Sequence, residues 1–123
     1  MADLEFSLPM PPDGDSRQAI YLNACRQLTW GSVCKLLPRS RSHWPTQDKV
    51  KCQVTVYSKM LPDNPDAYLA PVVDAIGSVL WHLKKSMPIV LIEQVDSDKQ
   101  QIVVGVTRRK LIPGNGPGNH YEW

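Results

Sequence analysis

Cysteine is scarce in this 123-residue chain, phenylalanine scarcer, and a long hydrophobic run is missing altogether. The three cysteines, Cys25, Cys34 and Cys52, have no CxxC spacing, and His43, His82 and His120 form no finger pattern with them. That argues against a disulfide framework or a structural zinc and leaves buried, unpaired thiols in a reducing compartment. The longest apolar stretches, Ile89-Val90-Leu91-Ile92 and Ile102-Val103-Val104, fall far short of the ~20 residues of a membrane span. The opening Met1-Ala2-Asp3-Leu4-Glu5 is acidic and lacks the basic start and apolar block of a signal peptide. The expectation is a soluble cytoplasmic protein with no membrane partner. There is also no Gly-rich phosphate loop, no Ser/His/Asp pattern and no context for a nucleophilic cysteine.

What is present is ordinary globular composition, 42% hydrophobic and 21% charged, with room for one domain. The net charge of +2 hides an uneven distribution. From Arg17 to Lys59 eight basic residues (Arg17, Arg26, Lys35, Arg39, Arg41, Lys49, Lys51 and Lys59) face one acid, Asp48. From Asp63 to Glu122 seven acids face six bases. A basic half beside a nearly neutral half points to a surface that meets a polyanion.

The hydrophobic pattern predicts the elements. Phe6 to Leu8 reads as a short strand, followed by the helix-incompatible Pro9-Met10-Pro11-Pro12. Asp15 or Ser16 reads as an N-cap for a helix from Arg17 to about Leu37, with Ile20, Ala24, Leu28 and Val33 on its apolar face. Arg39 to Pro45 reads as a basic loop. In Lys49 to Lys59, Val50, Cys52, Val54 and Val56 alternate with polar residues, the period of a strand with one buried face. A second helix carries Leu69, Val72, Val73, Ile76 and Leu80 on one side, starts or kinks at Pro71, and closes at Lys84-Lys85. Ile89 to Val95 and Gln101 to Arg109 read as strands of a hairpin, the first apolar on both faces and so central in the sheet. The predicted architecture is a small α/β domain over residues 1–112, β-α-β-α-β-β, a mixed sheet with two helices packed on it. Residues 113–123, rich in Gly and Pro, read as a flexible tail.

The chemically suggestive residues are acidic. Asp63 and Asp66 follow the alternating strand, and Asp74 lies on the helix after them. Carboxylates at a strand end and the next helix start are a common way to hold Mg²⁺, and beside a basic face they suit phosphodiester hydrolysis. The same residues also serve as turn formers and N-caps.

Two segments resemble a family. Ser7-Leu8-Pro9-Met10-Pro11-Pro12 is similar to the N-terminal Leu-Pro-x-Pro-Pro segment of the RusA-like Holliday junction resolvases. The stretch from Pro62 through Asp63-Asn64-Pro65-Asp66 to Pro71-Val72-Val73-Asp74-Ala75-Ile76 resembles that family's Pro-Asp-x-Asp-Asn-Leu-x-Lys-Pro-x-x-Asp-Ala-Leu. The family consists of small dimeric, Mg²⁺-dependent nucleases of phages and prophages. They bind four-way DNA junctions through a basic surface and cleave with clustered aspartates. The resemblance therefore implies a RusA-like fold, a homodimer, and DNA or a host or phage protein as partner in the host cytoplasm. It implies catalytic remnants at Asp63, Asp66 and Asp74, with Asp66 and Asp74 as metal ligands if any remain. The departures are specific: the family's first metal-binding Asp falls on Asn64, the following Asn on Ala67, the Lys on Ala70, and its Asp-Asp pair near Lys84-Lys85. Lysines in place of two carboxylates repel a cation that needs several negative oxygens. Two readings follow. One is a protein that has lost most nuclease activity and binds DNA or a protein, with Arg39, Arg41, His43, Lys49, Lys51, Lys84 and Lys85 as its basic surface. The other is a divergent Mg²⁺ nuclease recruiting a further acid such as Glu93 or Asp96.

Overall fold

A computed structural model of the chain describes residues 2–12, 15–59, 64–113 and 119–123. The alternating segment forms β2 (Val50–Tyr57), with Val50, Cys52, Val54 and Val56 fully buried. Its neighbours are β4 (Gln101–Arg108), antiparallel, and β3 (Ile89–Val95), parallel; β1 (Leu4–Pro9) lies antiparallel beyond β4. The order β1-β4-β2-β3 makes a mixed four-stranded sheet. One face, carrying Leu4, Phe6, Leu8, Ile102, Val104 and Val106 with the β2 residues, is buried under helices. The other carries Glu5, Ser7, Lys51, Gln53, Leu91 and Glu93 and is open. The small α/β class and the mixed sheet thus match expectation. Among the described residues no helix is long and apolar enough to cross a membrane.

The helices depart from the sequence reading in instructive ways. Helix α1 spans Ala19–Cys34, with Gln18 at its N-cap making no side-chain cap. Asp15 instead accepts from the Arg17 N–H at 2.9 Å, a local turn that ends before the helix begins. The buried stripe is Tyr21, Cys25, Thr29 and Val33, while Ile20 is 86% exposed. The amphipathic residues go inside because their polar atoms find partners there. Tyr21 Oη donates to the Pro9 carbonyl at 2.7 Å, and Thr29 Oγ1 donates to the Cys25 carbonyl at 2.6 Å. Part of the expected basic loop is a helical turn, α2 (Pro38–Arg41), opened by a proline whose missing N–H costs nothing at that position.

Helix α3 runs Pro65–Leu80, capped by Asn64, whose side chain accepts from the Ala67 N–H at 3.2 Å. It passes through Pro71, which neither starts nor ends it. Ala67, whose carbonyl loses its helical donor there, is exposed to water. The helix ends at Leu80, short of Lys84-Lys85, because Trp81 turns extended and pairs with Thr46. The two lysines belong to a separate turn, α4 (Leu83–Ser86).

The largest correction concerns strand order. β3 and β4 are consecutive but do not pair; β2 lies between them. Strand β2, α3 and β3 form a parallel crossover unit, and the short connection from Asp96 to Gln100 then carries the chain over β2 into β4. Two strand spacings, roughly 10 Å, are within reach of so short a loop. Strand β3 is therefore an edge strand. Its Val90 and Ile92 pack partly against the core, while Ile89 and Leu91 face the open side, 39% and 41% exposed. Continuous hydrophobicity marked burial on one face only. Strand β6 (Asn119–Glu122), within the segment expected to be a flexible tail, pairs through its backbone with β5 (Lys110–Pro113), which ends at that segment's first residue.

The junction of α3 with the sheet depends on a close approach. A Cβ on Gly77 would lie 2.8 Å from Trp81 Cε2 and Nε1, and the indole is buried. Ordinarily Gly to Ala in a helix gains about 1 kcal/mol. Here we expect Gly77→Ala to lose about 1 kcal/mol or more, since displacing a packed ring costs ~1–3 kcal/mol. Urea unfolding of the two proteins measures the sign.

Candidate nucleic-acid interface

Strand β2 starts, β4 ends and α3 ends at the same edge of the domain, and the loops there carry most of the basic residues. Arg39 and Arg41 are exposed on α2, and His43 is exposed just after it. Lys49 precedes β2, and its carbonyl accepts from the Arg109 N–H at 2.8 Å. Lys51 is exposed on the open sheet face, paired in register with Thr107 and Ile89. Lys85 reaches the same loop, its Nζ 3.5 Å from Gln47 Oε1. Lys84 is placed by its backbone in α4. Ser40 and His43 line a cleft of about 230 Å³ together with Asp3, Trp44, Arg108 and Lys110. Trp44 itself is core, 6% exposed, and presents no stacking face to a base.

Sequence reasoning missed Arg108, Arg109 and Lys110. The signal was three consecutive cations at the end of a strand, hidden by counting them within a nearly neutral half. Their geometry is fixed by two acids. Arg108 Nη1 meets Asp48 Oδ2 at 3.1 Å, and Lys110 Nζ meets Asp3 Oδ1 at 2.9 Å. Asp3 Oδ2 also accepts from the Arg108 backbone N–H at 2.7 Å. Partial burial works to raise the Asp3 carboxyl, but the Lys110 ammonium and the Arg108 N–H and charge together outweigh it and hold it below its ordinary value. Both acids at this end are thus engaged, and cations from four separate segments outnumber them.

The acidic candidates lie elsewhere. Asp66 is in the first turn of α3, at the far end of that helix from Trp81, where a carboxylate suits the helix dipole. Asp66 and Asp74 line one groove of about 340 Å³ with Ala70, Val73, Val90 and Ile92. Eight residues of helix separate them by about 12 Å. They cannot both bond one Mg²⁺, whose ligands sit at ~2.1 Å. Glu93 alternates with Val90 and Ile92 along β3 and faces the open side of the sheet, away from α3. Asp63 lies outside the described residues. Among the described residues, no three His, Cys, Asp or Glu side chains come together as a metal-binding group. Burial pushes the Cys25 thiol up and the Cys52 thiol up to about 12, which disfavours both as nucleophiles; Cys34, expected to be buried, is exposed.

Comparison with known proteins finds no family model that matches the chain and no curated protein that matches it.

The Asp3 anchor has a pH signature. A carboxyl held below its unfolded value near 3.8 adds stability above that pH, and the contribution fades as pH falls through the folded value. Asp3→Asn is therefore expected to be less stable than the parent at pH 7. The gap should close as pH falls below about 4, as measured by thermal unfolding across pH.

Proposed function

We propose that this protein binds the phosphate backbone of DNA through the basic end of its sheet, and that it is a RusA-like protein in which junction cleavage has been lost. The observation that carries this reading is the convergence of Arg39, Arg41, His43, Lys49, Lys51, Lys85 and the Arg108 to Lys110 run at one end of the fold, while Asp66 lies at the other end of α3. The exposed cations Arg39, Arg41, Lys51 and Lys85, with Arg108 and Lys110 held by Asp48 and Asp3 beside them, match a phosphate-tracking surface, which needs positive charge and little base-specific chemistry. The absence of an exposed aromatic platform at Trp44 favours duplex arms over unstacked single strands. The protein would act in the host cytoplasm on branched or duplex DNA.

A second reading keeps catalysis. It rests on the groove beside α3 that Asp66 and Asp74 line, where either one would supply a Mg²⁺ ligand if further carboxylates joined it. A protein partner takes precedence over both if DNA is not bound.

The binding reading fixes a salt dependence. Four phosphate contacts give a log–log slope of about −3 to −4, at ~0.9 per phosphate neutralised on duplex DNA. Fluorescence anisotropy with a labelled four-way junction and a labelled duplex should show this slope. Arg39→Ala combined with Arg41→Ala should flatten it by about two units. No binding even at low salt would remove the nucleic-acid reading and leave a protein partner.

A further inference from the structure

A groove of about 470 Å³ runs between β1, the other edge strand of the sheet, and α1. The two elements lie antiparallel. Tyr21, near the start of α1, bonds Pro9 at the end of β1, and Lys35, at the end of α1, lines the groove with Asp3. The lengths agree, since Tyr21 to Lys35 rises about 21 Å as helix and Asp3 to Pro9 about 20 Å as strand. The direction of the β1 peptide groups follows from the neighbouring strands. The Arg109 N–H donates to the Lys49 carbonyl at 2.8 Å, which continues the β2–β4 register. Alternation in an antiparallel ladder then turns Thr107, Gly105 and Val103 toward β2, and Val106, Val104 and Ile102 toward β1. Leu4, Phe6 and Leu8 stand opposite those last three, so Glu5 and Ser7 turn their N–H and C=O groups away from the sheet. Pro9 shares that direction, and its carbonyl is the one that Tyr21 takes. Among the described residues no strand lies beyond β1. At the other end the Asp3 N–H donates to the carbonyl of Val106, the residue that Leu4 already faces, so the ladder is irregular there. An edge of three residues closed by an irregular turn and a proline is blunted against another sheet. It suits a short extended peptide, which adds to a strand edge by main-chain hydrogen bonds and gains specificity from side-chain pockets.

The helix wall supplies those pockets. Leu28 is 45% exposed, and a Cβ on Gly31 would meet no heavy atom within 4 Å, so Gly31 leaves open space in the wall. Lys35 is exposed one helical turn further on and makes no ion pair among the described residues. Two acids also line the groove. Asp3 is held by Lys110 and by the Arg108 N–H. Glu5 places its side chain on the open face of the sheet, where it lines a second cavity with Lys51. We propose that this groove binds an extended peptide of a partner protein, added to β1 at Glu5 and Ser7. Its chemistry follows from the walls. An apolar side chain covers Leu28 and Gly31, and an acidic one two residues along reaches Lys35. Alternate strand residues are about 7 Å apart, close to the ~6 Å helical rise from Gly31 to Lys35. The residue between them faces the open side beside Glu5, where Lys or Arg is favoured. The site does not rest on what the basic end binds, since neither the Glu5 to Ser7 edge nor Gly31 adds a cation to it.

Panning a phage-displayed random decapeptide library on the whole protein tests this, with the enriched peptides then made with a fluorescein label for anisotropy. The expected consensus is an apolar residue two positions from an acid, with a base between. Amide exchange followed by NMR should show the Glu5 and Ser7 N–H groups slowed when such a peptide is added. Gly31→Leu fills the groove at a position where the helix gains from losing glycine, and should weaken binding at least roughly tenfold. Lys35→Glu, at an exposed position, should reverse the preference so that a peptide with Lys in place of the acid binds better. The proposal is overturned if no peptide is enriched, or if the enriched peptides bind Gly31→Leu as tightly as the parent or ignore Lys35→Glu. It is overturned equally if the Glu5 and Ser7 amides are unaffected by peptide, or are already slowed in its absence as protein concentration rises, which would give the edge to a second copy.

Discussion

The structure depends on the burial of one face of β2. Val50, Cys52, Val54 and Val56 are completely enclosed, and among the described strands β2 alone is hydrogen-bonded to a parallel strand on one side and an antiparallel strand on the other. Enclosing that face requires α3 to lie across the sheet, with Leu69, Val72, Ile76 and Leu80 turned inward. Transfer of four such side chains out of water is worth several kcal/mol, at ~1.5–3 kcal/mol each. Once α3 is committed, the ends of the domain are assigned. The loop that opens β2 and the turn that follows α3 meet through Thr46, whose carbonyl accepts from the His82 N–H and from Ser86 Oγ. Cations on those segments are gathered at one end, and Asp66, at the start of α3, is held at the other.

Much of this was legible in the sequence. The strict period of Val50 to Val56 located the central strand, and Leu69 to Leu80 located the helix that covers it. The basic bias of Arg39 to Lys51 located part of the charged end. Three features were not legible, each for a physical reason. The order of β3 and β4 is set by the handed crossover through α3, a non-local constraint that a turn-like Asp96-Ser97-Asp98 cannot reveal. The buried stripe of α1 uses Tyr21, Cys25 and Thr29, whose polarity is cancelled by hydrogen bonds that only the folded chain supplies. The Arg108 to Lys110 run joins the basic end because β4 pairs with β2 in a register that sets Val50 opposite Arg108.

The separation of charge bears directly on chemistry. Metal-assisted phosphodiester cleavage needs carboxylates converging on one cation beside the bound phosphate. Here Asp66 and Asp74 are about two helical turns apart, and the cations that would hold a phosphate cluster toward the other end of α3. Binding requires only the cations and tolerates this arrangement, whereas cleavage would need further carboxylates beside Asp66 or Asp74. Lys85, in the turn after α3, acts in the same direction, since it adds positive charge near Gln47 and the start of β2.

Cleavage of a labelled four-way junction, at protein concentrations that saturate binding and with Mg²⁺ or Mn²⁺ present, tests the central claim most directly. The account predicts a bound junction that remains intact. Symmetric nicking of the junction, abolished by Asp66→Asn or Asp74→Asn with binding unchanged, would contradict it.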